Sequence, residues 1–160
     1  MITTPCRSLL LAVLVGTVAG CSETLDAADL AALPSVEDYP SWKHYETQGF
    51  APGHRESFRR IFVNAAVEHT PAGAVFPVGS IILKEIYELG GTPERPAPGS
   101  LRYRAIMRRP AEAPNGLALD GGWLFTSRNG DTERRVATCW SSCHAQAPRQ
   151  GVFLDPATYR

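Results

Sequence analysis

Hydrophobic and polar positions alternate along this chain in short blocks punctuated by glycine and proline, not in long helical stripes. Residues 80–87, Ser-Ile-Ile-Leu-Lys-Glu-Ile-Tyr, are rich in β-branched and aromatic side chains and lie between Pro77 and Gly79 on one side and Gly90-Gly91 on the other, which predicts a strand. Leu101, Tyr103, Ala105 and Met107 alternate with Arg102, Arg104, Ile106 and Arg108, the period of a half-buried strand with a basic outer face. Residues 123–127, between Gly121-Gly122 and Asn129-Gly130, predict another strand. The apolar run of Phe58, Ile61, Phe62 and Val63 predicts a strand over residues 57–63, after which Asn64 caps a short helix over residues 65–69. Residues 91–99, with three prolines, read as a surface connection, and the chain has no internal repeat. Strands separated by Gly- and Pro-rich turns predict an α+β domain, mainly an antiparallel β-sheet with a few short helices packed on it.

The N-terminus has a different pattern. Arg7 precedes an apolar run over residues 9–15 that ends in small residues, the layout of a signal peptide. The run is shorter than the roughly 20 apolar residues of a membrane span. Val18-Ala19-Gly20-Cys21 resembles the lipobox of bacterial lipoproteins, in which cleavage leaves a lipidated cysteine, here Cys21, at the mature N-terminus. The alternative is an ordinary signal with Cys21 as a free thiol. The lipobox predicts an exported protein, lipid-anchored to a membrane and facing the periplasm. Ser22, where a retention signal would carry Asp, points to the outer membrane by the same resemblance. Leu25, Ala28, Ala32 and Leu33 share a helical face that Pro34 ends. The expected division is a signal peptide over 1–20, a lipidated tether with a short helix over 21–38, and one folded domain over 39–160, beginning near Tyr39.

A length of 160 residues suits one core. Acidic and basic residues cancel to a formal charge of zero, which leaves no footprint for nucleic acid. Lys43 and Lys84 are the only lysines, so each invites a question. Once Cys6 leaves with the signal and Cys21 is taken by lipid, the domain keeps Cys139 and Cys143, in an oxidising compartment. They stand in Cys139-Trp140-Ser141-Ser142-Cys143-His144. Two thiols and an adjacent histidine are what a c-type haem needs for its thioethers and its axial ligand, but the usual spacing is Cys-x-x-Cys-His. The extra residue makes the loop bulge or strains the bond at Cys139, while Cys143-His144 is unaffected. A single-thioether haem through Cys143 is one outcome. A disulfide between Cys139 and Cys143 is another, since residues four apart meet on a helix. Zinc would need further ligands, and His44, His54 and His69 show no metal-site spacing. A thioredoxin-like pair lacks both spacing and βαβ frame.

Four segments together resemble the cytochrome P-460 family, with the related cytochromes c′-β. They are Phe-Val-Asn-Ala-Ala at 62–66, Phe-Pro-Val-Gly-Ser-Ile-Ile-Leu-Lys-Glu-Ile-Tyr at 76–87, Gly-Gly-Trp at 121–123, and Cys-His-Ala-Gln-Ala-Pro at 143–148. The resemblance spans residues 54–159 and implies an antiparallel β fold, usually a homodimer, around a five-coordinate haem c with an open distal side. It implies His144 as iron ligand, Cys139 and Cys143 as attachment points, and Lys84 as the position of a lysine cross-linked to the macrocycle. The alternative for Lys84 is a solvated strand lysine. The family's enzymes oxidise hydroxylamine, and the distal base this needs maps to Asp131, with Glu133 as fallback. Asp131 also suits an ordinary turn. Arg60 matches a distal arginine position, although Arg59 and Arg60 also read as a solvated pair.

The resemblance leaves three functions open. The first is oxidation of hydroxylamine or a related small nitrogen compound, with electrons passed to a periplasmic acceptor. The second is non-enzymatic binding of nitric oxide or another gas. The third is plain electron transfer, which wants a second strong axial ligand such as Met107, the one methionine of the mature chain.

Overall fold

The computed structural model describes residues 23–153. The signal peptide and Cys21 lie outside the described residues. Six strands form one antiparallel sheet in the order β1 to β6. They are β1 (Lys43–Ala51), β2 (Arg55–Val63), β3 (Ile81–Thr92), β4 (Arg95–Arg108), β5 (Leu124–Asn129) and β6 (Thr132–Arg135). Three short helices accompany them: α1 (Ala27–Ala32), α2 (Ala65–Glu68) and α3 (Thr138–Ser142). The fold is α+β, as the sequence predicts. Among the described residues no helix is long and apolar enough to cross a membrane.

Because paired residues on neighbouring strands share a face, the register divides the sheet. Tyr45, Ile61, Lys84, Ala105, Ser127 and Arg134 lie in one row across all six strands. Two residues along, Val63, Ile82, Met107 and Phe125 form the next row on the same face. This front face carries a core that includes Val67, Phe76 and Trp123, against which Cys139 and Trp140 pack. Phe62, Leu83 and Ile106 point the other way, into a back core closed by Val36, Tyr39 and Trp42.

The back layer revises the expected tether. Leu25 and Leu33 are buried with Leu117 and Leu124, and Val36 is buried too, so residues 24–36 are folded onto the sheet and the packed unit starts well before Tyr39. Thr24 makes a β-bridge to Arg134. The expected helix is present as α1, started by a reciprocal capping box between Asp26 and Asp29.

Two other expectations change. Residues 91–99 are paired backbone, with Thr92 opposite Arg95 and Gly90 opposite Ala97, so β3 and β4 form a long hairpin in place of a loose connection. Of the three arginines expected to make a basic outer face on β4, only Arg102 is exposed, and it lies 3.7 Å from Glu88. Arg108 is 2% exposed and is clamped by Glu133, itself buried, with a further hydrogen bond from its Nε to the Pro34 carbonyl at 3.1 Å. Arg104 reaches Glu85 at 3.3 Å under the N-terminal layer. The strand and short helix expected around Asn64 are β2 and α2, and the Asn64 side chain accepts from the Val67 backbone N–H at 3.3 Å.

Candidate functional site

The segment after β6 turns back over the front face, because the Val136 N–H donates to the Phe125 carbonyl at 2.9 Å and ties it to β5. Helix α3 comes next, with Cys139 inside it and Cys143 just beyond its end at φ −151°. The Cys143 N–H donates back to the Trp140 carbonyl at 3.3 Å, and both cysteines act electrostatically on Lys84. Both thiols are free and half-buried. Among the described residues, no group of three or more His, Cys, Asp or Glu side chains forms a metal cluster.

Trp140, one of the three residues between the cysteines, anchors the helix. Its ring lies so close to Gly121 and Gly151 that a Cβ on either would come within 2.3 and 2.7 Å of it. Both glycines also hold positive φ, 60° and 83°, a conformation side chains resist. Ser141 and Ser142 stay exposed. The longer Cys-to-Cys interval is thus taken up by a short helix pinned through its indole.

His144 is held by the loop on its C-terminal side. Its Nδ1 donates to the Gly151 carbonyl at 2.5 Å, which leaves Nε2 as the lone-pair nitrogen. Phe125 and Phe153 flank the ring at 4.8 and 5.6 Å. The loop bearing Gly151 is itself fixed: the Trp123 indole N–H donates to the Gln150 carbonyl at 2.9 Å, and the Arg149 guanidinium stacks over Phe76 at 4.3 Å. Burial, helped by the charge of Lys84, holds the His144 imidazole below its ordinary value against the opposing bond to Gly151.

Facing this helix is the middle of β3. Lys84 lies in the front-face row, half-buried, and its amine is 3.2 Å from His54 Nε2. His54 Nδ1 is 2.9 Å from the Tyr103 hydroxyl. Burial first, then the Arg59 charge, lowers Lys84 to about 8, while the Cys143 and Cys139 thiols pull the other way. Burial, with Lys84, Arg59 and His144 nearby, pushes His54 down to about 3. Burial raises the Cys139 thiol despite Lys84. Lys84, His54, Cys139, Cys143 and His144 therefore form one electrostatically connected group.

A family model for cytochrome P460 matches residues 36–154. The chain belongs to the cytochrome P460 family. Membership makes it a haem protein. No curated protein matches the chain. The residues present fit a haem: an imidazole with its second nitrogen fixed and its first free for iron, and two unbonded thiols on the adjoining turn, over a largely apolar face.

Three candidate residues lie elsewhere. Asp131 sits exposed in the two-residue turn between Asn129 and Thr132, in the turn role the sequence also allowed. Glu133 is buried on the back face, bound by Arg108, by Thr126 at 2.5 Å and by Arg128 at 2.9 Å. Burial would raise its carboxyl, but Arg108, Thr126 and Arg128 outweigh burial and lower it. Arg60 pairs with Glu46 at 2.8 Å on the back face. Its neighbour Arg59, buried on the front face, is the arginine whose charge Lys84 and His54 feel. Met107 is packed in the front core beside Phe125 and Ile82.

His54 and Tyr103 belong to the cluster although the sequence marks neither as part of the haem site. His54 lies in the β1–β2 turn, 30 positions before Lys84, and only the folding of that turn over the front face unites them. The alternation of β4 does place Tyr103 on the same face as the thiol-bearing segment, and that was the available signal.

Proposed function

We propose that this chain is a periplasm-facing lipoprotein whose c-type haem is joined to Cys139 and Cys143, ligated by His144 and open on its other side. On this reading the chain oxidises hydroxylamine or a related small nitrogen compound. The observation that carries the reading is the place of Lys84. A solvated strand lysine would suit a simple binder. This one is half-buried in the front face, with its amine against a neutral imidazole and within electrostatic reach of both thiols. That position supports a third covalent bond, from Lys84 Nζ to an edge carbon of the macrocycle. Such a bond would form with loss of one hydrogen from nitrogen and one from carbon, its two electrons passing to an oxidant of the peroxide class.

Bound haem supplies the electron sink and an open coordination position. The chain supplies the rest. His144 is oriented by its bond to Gly151, and Phe125 and Phe153 pack against its ring. Oxidation of hydroxylamine releases protons with its electrons, so the site also needs an acceptor. Asp131 lies in solvent, Glu133 is locked on the back face and both His54 nitrogens are taken by Lys84 and Tyr103, so on this reading the protons pass to solvent water.

The second reading, a non-enzymatic binder of nitric oxide, draws support from the carboxylates. Asp120 is near enough for Cys139 to feel its charge, but it is tied to Arg135 at 3.3 Å. Purified holoprotein mixed with hydroxylamine and an artificial electron acceptor separates the two. Consumption of hydroxylamine with reduction of the acceptor is expected, and binding without consumption would overturn oxidation in favour of the binder. Export, the lipid at Cys21, a periplasmic acceptor and a homodimer complete the proposal, and they rest on the lipobox and the family resemblance.

A further inference from the structure

Lysine ends in a chain of rotatable bonds and does not stay in one place unless something holds it. Lys84 is held. Its ammonium donates to His54 Nε2 at 3.2 Å, so the His54 proton sits on Nδ1 and is donated to the Tyr103 oxygen at 2.9 Å. The three side chains come from separate elements. Tyr103 lies opposite Ile86 and Lys84 lies opposite Ala105, which makes Tyr103 and Lys84 diagonal neighbours on one face, with the small Ala105 side chain leaving room beside the lysine. His54 arrives from the β1–β2 turn, closed by its own N–H bonded to the Ala51 carbonyl at 3.0 Å. The next residue, Arg55, takes φ 55°, which is unusual for a side-chain-bearing residue and is tolerated where the surroundings fix the backbone. Other groups facing the amine are Arg59 from β2 and Cys139 and Cys143 from the segment around α3. None of these is an acceptor at hydrogen-bond distance, and His54 is.

We propose that Tyr103 and His54 form a positioning unit that fixes the Lys84 amine on the front face opposite the thiol-bearing helix. Tyr103 sets the tautomer and direction of His54, and His54 presents the lysine. The inference rests on the role given to Lys84 above, and it predicts which residues that role depends on.

The test uses holoprotein carrying His54→Ala, His54→Gln or Tyr103→Phe, expressed with haem-attachment machinery. The readout is the fraction of chains with a haem bond at Lys84, from mass and peptide mapping after denaturation. Loss of a buried hydrogen bond of this kind predicts a fall of at least about fivefold for His54→Ala. Tyr103→Phe should give a smaller fall, and His54→Gln, which keeps an acceptor, should recover part of the bond. The absorption spectrum set by His144 should stay as in the native protein, since His144 is held by the Gly151 carbonyl and not by His54. An unchanged fraction in His54→Ala overturns the inference. If the native chain carries no bond at Lys84, the cross-link proposal falls instead, and the amine is then free for a second readout. Acylation of Lys84 relative to exposed Lys43 should rise at least about fivefold in His54→Ala, and an unchanged ratio overturns the positioning role.

Discussion

Arg59 and Arg60 stand side by side in the sequence and do unrelated work. On a strand, neighbouring residues point to opposite faces, so register alone decides which arginine meets the front-face cluster. Arg59 faces Lys84 and His54, and Arg60 pairs with Glu46 behind the sheet. Composition cannot make that distinction, and the Arg60 position that the resemblance gives points away from the cluster that Arg59 faces. Trp140 gives a sharper test at this scale. Gly121→Ala or Gly151→Ala would drive a methyl into the indole, and overpacking of this kind costs about 1–3 kcal/mol. We expect a lower melting midpoint and reduced haem loading in either variant, with α3 lifted from the face. His54 makes the pH dependence specific. Its folded value near 3 lies below the ordinary 6.5, so the unfolded chain takes up a proton first on acidification. The stability due to the neutral ring is complete above pH 6.5 and is lost as pH falls through 3. Denaturant midpoints of the holoprotein should decline across that window, and His54→Gln should flatten the decline. An equal slope in both proteins would contradict the assignment.

Elements differ in how plainly the sequence announces them. Strand β3 was legible because Ile81, Ile82, Leu83 and Ile86 pack on both faces of a central strand and leave a dense β-branched run. Strand β1 was not, since it is an edge strand of largely exposed polar residues, Lys-His-Tyr-Glu-Thr-Gln, with little apolar signal. Helix α3 escaped because five residues are too few for periodicity and its anchor is one tryptophan. The back-face pair shows how an expected surface charge becomes structural. Arg108 and Glu133 are 2% and 0% exposed, whereas Arg60 and Glu46 are 36% and 46% exposed. Arg108→Ala should cost about 3 kcal/mol in denaturant unfolding by taking one of two arginines from a buried carboxylate that keeps Arg128. Arg60→Ala should cost less than about 1 kcal/mol and leave haem loading unchanged. Similar effects for the two substitutions would contradict the burial of the Arg108–Glu133 pair.

At the scale of the whole molecule, one sheet is covered on both sides, and the two covers have different duties. The N-terminal residues 24–36 close the back with leucine and valine. The C-terminal segment closes the front with two thiols and a histidine. The sequence alone carried the second duty through Cys143-His144, but it placed the first outside the domain, because an alanine-rich stretch before a proline looks like a linker until its leucines are seen to be buried. Whether the front cover is a haem site is decided by counting bonds. The most direct measurement is the mass of the denatured holoprotein, expressed with haem-attachment machinery and mapped by peptide. The account predicts one haem retained through denaturation, with bonds at Cys139, Cys143 and Lys84. A polypeptide that sheds its haem and leaves both cysteines unmodified would contradict it.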